Sequence, residues 1–126
     1  MSDWWETAVG RSRTLYRTFS EADLTSYGAL AGDTCPEGEV PEPLVAGLFS
    51  TLLGVHLPGR GTNYLKQALR PVSAARIGEE LAATIEVVRV VPDKRLVYLA
   101  TTCHGADGRT VAEGEALVLA GGIPTP

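Results

Sequence analysis

Leu44-Val45-Ala46-Gly47-Leu48-Phe49-Ser50-Thr51-Leu52-Leu53-Gly54-Val55-His56, residues 44–56, is apolar on nearly every side. A helix that is hydrophobic all round keeps no face for water and is a buried one. Ala46 and Gly47 are small enough to let other backbone approach its start. Ser50, Thr51 and His56 interrupt the run, which is too short to span a bilayer. After the turn Leu57-Pro58-Gly59-Arg60-Gly61, strands are expected over 63–69, 81–91, 95–104 and 111–120. The segment 81–91 is the richest in branched residues, with Ile85, Val87, Val88, Val90 and Val91. Pro92-Asp93-Lys94 and Gly105-Ala106-Asp107-Gly108 read as the hairpin turns between the last three strands. Long strands joined by short turns give an antiparallel sheet. A buried helix placed ahead of that sheet has nothing else to lie against. The expected fold is therefore α+β, a curved antiparallel sheet wrapped around a long central helix.

Upstream, residues 1–10 read as a mobile lead-in with Trp4 and Trp5 available for packing. Residues 13–19 alternate as a strand, with Leu15, Arg17 and Phe19 on one face. Ser20-Glu21-Ala22-Asp23 has the form of a capping box, a hydroxyl answered by a carboxylate three residues on. Leu24, Tyr27, Leu30 and Ala31 follow at helical spacing, so a helix is expected over 21–32, ended by Gly32 and Asp33. Pro36, Pro41 and Pro43 break regular structure across 34–43. The organisation expected is a lead-in (1–12), a single domain (13–120) and a tail (121–126).

At 126 residues the chain can bury a core without disulfides or a structural metal. A net charge of -4 and a pI near 5.1 argue against a nucleic-acid surface, and the 11 Lys and Arg residues are scattered. Cys35 and Cys103 lack the close spacing and histidine companions of a metal motif, so no metal is expected and free thiols are. Met1-Ser2-Asp3-Trp4-Trp5-Glu6 does not have a leader's composition, and a soluble, cytoplasmic protein is expected.

The order of elements and several short stretches resemble the MaoC-like, or (R)-specific enoyl-CoA hydratase, family of hot-dog proteins. The matching stretches are F-S-E-A-D-L (19–24), A-L-A-G-D (29–33), L-F-S-T-L-L-G (48–54) and L-P-G-R-G-T-N-Y-L (57–65). R-I-G-E-E-L (76–81) and A-E-G-E-A-L-V (112–118) follow, so the likeness runs from about Leu15 to Ala120. The family's motif holds an aspartate and, five residues later, a histidine that together position water. Asp33 matches the aspartate, but Gly38 stands at the histidine's place. The resemblance puts the pair Ala46-Gly47 at the His-Gly that opens the central helix, after a shortened segment, and Thr62 near the family's site serine.

The resemblance implies an acyl thioester substrate, on CoA or a carrier protein, with no cofactor beyond the CoA or phosphopantetheine of the substrate itself. Adding or removing water needs a base for the proton and a donor for the enolate-like oxygen. Asp33 is the expected base and the Gly47 N–H the expected oxyanion donor, although Gly47 also reads as a small residue kept for packing, and both can hold. Glu37 is the expected partner in acid/base work, with Glu39 as the other choice in the same loop. Ala46, Leu48, Thr62 and Cys35 are the expected substrate contacts. His56 lies nine residues beyond Gly47, about 14 Å along a helix, too far to substitute for the missing histidine. His104, at the end of a strand, is expected to be exposed. Without that histidine two one-base variants fit as well, a double-bond shift and an intramolecular hydroxyl addition. The alternatives are a non-catalytic thioester-binding or hetero-oligomer partner protein, and a thioesterase using Ser50, Thr51 or Glu39. A homodimer through the sheets is expected, with neither nucleic acid nor membrane as a partner.

Overall fold

The computed structural model describes residues 4–31 and 38–125, the side chains of residues 27–31 excepted. Strands β1 (Ser12–Thr18), β2 (Thr62–Pro71), β3 (Glu80–Val91), β4 (Leu96–His104) and β5 (Thr110–Ala120) form one antiparallel sheet in the order β1-β3-β4-β5-β2. The period of two is clean in the central strands. Leu81, Ala83, Ile85 and Val87 of β3 are buried, as are Val97, Leu99, Thr101 and Cys103 of β4. In β4 the residues between them are half-exposed, so the sheet has one core face.

Helix α3 (Glu42–Thr51) covers that face and runs straight on as a π-helical turn, Leu52–His56. Val45, Leu48, Phe49, Leu52 and Leu53 bury themselves in the same core as the strand residues. The expected sheet around a central helix is thus the architecture observed, but the helix is not buried on every side as expected. Gly47, Ser50, Thr51 and Val55 lie on an exposed face, because the sheet covers only one side of it. Its opening, however, lies at Glu42 rather than Leu44. Pro43 does not break the helix, because at the second helical position a missing N–H leaves no bond unmade and φ is already set.

Helix α2 (Glu21–Ala31) begins on the expected capping box. The Ser20 N–H donates to Asp23 Oδ2 at 2.7 Å and the Asp23 N–H to Ser20 Oγ at 3.3 Å. The chain's beginning corrects the expectation of a mobile lead-in. Residues 4–7 form a short helix, α1 (Trp4–Thr7), with Trp5 4% exposed and Ala8 buried. The Trp5 indole N–H donates to the Pro124 carbonyl at 2.7 Å, and Ile123 packs on the core. A large aromatic ring gains more by closing the core than by staying in water, so lead-in and tail hold each other. His104 is half-buried rather than exposed. Among the described residues no helix is long and apolar enough to cross a membrane.

Candidate active site

The approach to the central helix is held by backbone. Gly38, at φ +81°, turns the chain into a one-residue antiparallel bridge between Glu39 and Arg76. The Val40 N–H donates to the Ala75 carbonyl at 2.8 Å, and the Ile77 N–H to the Gly38 carbonyl at 2.9 Å. Pro41 then caps α3 with extended backbone and without a side-chain hydrogen bond. Of the donors a helix leaves unpaired at its start, prolines 41 and 43 remove two. The Leu44 N–H folds back to the Pro41 carbonyl at 3.0 Å. The Glu42 N–H is left, among the described residues, with no backbone partner in the helix, at the positive end of the helix dipole.

Beside that end is a cleft of about 350 Å³. Val40 and Pro41 ahead of the helix, Glu42 and Val45 within it, Leu69 and Pro71 of β2 and Ala112 of β5 are among the residues that line it. Its size is that of a small-molecule site, and its walls are mostly apolar with few polar groups. Those groups are Glu39, Glu42 and Ser73, the last donating to the Thr110 carbonyl at 2.7 Å. Glu39 and Glu42 are the titratable side chains among the described residues lining it.

The opposite end of the helix is closed. The Leu57 N–H reaches back to the Leu52 carbonyl at 2.8 Å and the Gly59 N–H to that of Leu53 at 3.0 Å. Thr62 Oγ1 donates to the Gly59 carbonyl at 2.6 Å, so this threonine fastens the turn and does not reach the cleft. His56 is exposed there, about 20 Å from Glu42 at 1.5 Å per residue. On the flank of α3, Tyr64 is hydrogen-bonded to Ser50, and the partial desolvation of its phenol, in a residue that stays exposed overall, pushes it above its usual range.

The sequence-derived site divides accordingly. Asp33, Cys35 and Glu37 lie outside the described residues. Gly47 is the sixth residue of α3 rather than its opening, past the turn whose donors are free, and it does not line the cleft. A methyl group built on Gly47 would meet nothing within 4 Å among the described residues, so the packing explanation of this glycine finds no neighbour among them. Ala46 does not line the cleft, and Leu48, 6% exposed, points into the core. What the structure adds is Glu42, Val45, Leu69, Pro71 and Ala112. One signal for them was present in the sequence, since a proline just inside a helix start marks that start, and Pro43 would have moved the opening to its cleft.

No protein-family model matches the chain. Individual proteins do. An (R)-specific enoyl-CoA hydratase of Rhodospirillum rubrum is 38% identical over 125 residues, covering 87% of this chain and 85% of that protein. A 3-hydroxybutyryl-CoA dehydratase of Methylorubrum extorquens is 32% identical, covering 87% and 78%. The solved (R)-hydratase of A. caviae involved in PHA biosynthesis superposes with a TM-score of 0.83 at 32% identity, over 87% of this chain and 94% of that one.

Proposed function

The chain belongs to the (R)-specific enoyl-CoA hydratase family, and from that premise we propose that it is a lyase-type enzyme adding water to, or removing it from, an acyl thioester. The observation that carries the reading is the mostly apolar cleft at the start of α3, lined by Glu42, the first residue of the helix. In this reading the Glu42 N–H, in place of that of Gly47, donates a hydrogen bond to the thioester oxygen as negative charge builds on it. A fixed backbone donor aimed at the developing charge stabilises such an oxyanion. Asp33 is the base. In dehydration it takes the proton from Cα, the electron pair moves toward the carbonyl, and hydroxide leaves Cβ as water once protonated. Hydration is the reverse. Glu37 or Glu39 supplies the second proton. CoA or a carrier's phosphopantetheine enters only as the handle of the substrate.

The place where the resemblance puts the missing histidine is a tight backbone turn. Gly38 sits at φ +81°, where a side-chain-bearing residue is strained, and that turn is what lays the chain against Ala75 and Ile77. The same observation favours a second reading, a protein that binds the thioester without turning it over. A cytoplasmic homodimer belongs to the first reading. Strand β2 is an edge of the sheet and exposes Leu65 (53%) and Tyr64 (38%), a surface suited to a second copy.

Purified protein incubated with short 2-enoyl- and 3-hydroxyacyl-CoA thioesters, read by mass spectrometry, tests the proposal. A mass change of one water is expected, abolished in Asp33→Asn. Glu42→Pro is the sharper variant. Proline is at home at the first helical position, and the extended backbone of Pro41 is what a following proline requires. The fold should therefore persist while the donor disappears, with turnover down roughly 10²-fold. Full turnover in Glu42→Pro would remove this N–H from the mechanism, release of free thiol would point to a thioesterase, and binding without mass change to the second reading.

A further inference from the structure

One partly buried charged cluster ties three pieces of chain together, one of which, at Ala74, lines the cleft. Glu79, its side chain 13% exposed, accepts hydrogen bonds through both carboxylate oxygens. The Arg76 N–H reaches Oε2 at 2.8 Å and the Ala106 N–H reaches Oε1 at 2.9 Å. Arg109 adds a fork of two bonds, Nη1 to Oε1 at 2.9 Å and Nη2 to Oε2 at 2.6 Å. The same Nη2 also donates to the Ala74 carbonyl at 2.6 Å, and Nη1 to Asp107 Oδ1 at 2.9 Å. Gly105 is bare where a side chain would run into both Arg109 and Glu79. Four donors on one carboxylate hold it well ionised, at a pKa of about 2.

What this cluster grips is the backbone that carries the cleft. Ala74 and Arg76 flank Ala75, whose carbonyl holds Val40, and Arg76 bridges Glu39. Ile77, one residue on, holds Gly38. Residues 74–77 are thus fixed on one side by Glu79 and Arg109 and on the other fix residues 38–40, which lead directly into Pro41 and the Glu42 N–H. We propose that Glu79 and Arg109 are positioning residues for the active site, a clamp that sets the approach to α3 and so the place of the Glu42 donor, without either side chain touching substrate. A bidentate guanidinium–carboxylate pair is suited to this, because its planar fork fixes direction as well as distance. A shift of about 1 Å in a positioning group far from the chemistry can cost 10²-fold in rate.

The kinetic side of this inference rests on the function proposed above; the structural side does not, and the experiment separates them. Amide hydrogen exchange is measured site by site in the full chain, wild type against Glu79→Gln. Exchange of the Val40 and Ile77 amides should quicken at least tenfold while the amides of β4 keep their rates. Arg109→Lys keeps the charge but cannot bond Glu79 and the Ala74 carbonyl together. It should loosen the same two amides, and it serves alone if Glu79→Gln does not fold. Val40 and Ile77 amides that keep their protection, or lose it only in step with β4, overturn the clamp. On a thioester that the wild type turns over, both variants should lower kcat at least tenfold with KM changed less than threefold. An equal loss in KM with kcat unchanged would also overturn it. If the wild type turns over none, the function reading falls and the exchange rates alone judge the clamp.

Discussion

At its C-terminal end the central helix returns the carbonyls of Leu52 and Leu53 to the backbone of Leu57 and Gly59, and Thr62 fastens the turn. Leu52 and Leu53 are each 1% exposed there. At its N-terminal end two prolines leave a single first-turn donor, no side chain caps it, and a cleft lies alongside. One end is satisfied by the chain itself, and the other keeps polar capacity in an apolar setting. The difference separates an end tied down by its own chain from an end open to water or a ligand, which is where the proposed function places its chemistry.

The largest effect should come from the closed half. Phe49, fully buried between helix and sheet, leaves a cavity when truncated, and Phe49→Ala should cost about 3–5 kcal/mol in urea unfolding. A loss below about 1 kcal/mol would mean that this half does not anchor the helix.

The clamp beneath the open end should show next, in acid. The Glu79 carboxyl lies at about 2 in the folded chain against 4.5 unperturbed, chiefly through its bonds from Arg109. The unfolded chain therefore takes up the proton first. The stability due to this group is complete above about pH 4.5 and drains away as pH falls toward 2. Asp23 and Asp107, lowered by Ser20 and Arg109 respectively, act in the same direction. Chemical denaturation across pH 2–6 should show a steep wild-type decline that Glu79→Gln flattens, the variant being weaker by about 3 kcal/mol at pH 6. Parallel curves would mean that the pair does not hold the approach to α3.

A smaller effect, of opposite sign, is expected midway along the helix. Gly47 sits in the helix interior, and an added methyl meets nothing within 4 Å among the described residues, so Gly47→Ala should raise stability by about 0.5–1 kcal/mol. Its turnover should stay near wild type if the thioester oxygen binds at Glu42; a loss above tenfold would bring substrate up to Gly47 and extend the open end by a turn. The smallest effect belongs to exposed His56. His56→Ala should cost about 0.5 kcal/mol or less, a helix-terminus contribution, with turnover unchanged. A large kinetic loss would make the closed end functional and dissolve the contrast.

Much of this architecture was readable because it repeats along the chain. The alternation in β3 and β4 and the apolar run 44–56 announce which faces turn inward, and Ser20 with Asp23 announces a helix start. The site was less readable. Glu42, Val45, Leu69, Pro71 and Ala112 come together from three elements, and no period in the sequence links them. The prolines that read as breakers of structure are at once the helix opening and the reason that a single donor remains there.

The amino-acid order by itself determined an apolar helix, an antiparallel sheet to cover one side of it and the family resemblance, because hydrophobic period and turn chemistry are local properties that survive without knowledge of neighbours. The tertiary structure decided where that helix opens, which end faces a cleft, and that Glu79 and Arg109, 30 residues apart, grip the approach to it. Those depend on backbone hydrogen bonds and ion pairs between segments distant in the chain, whose partners are chosen only once the sheet has closed around the helix.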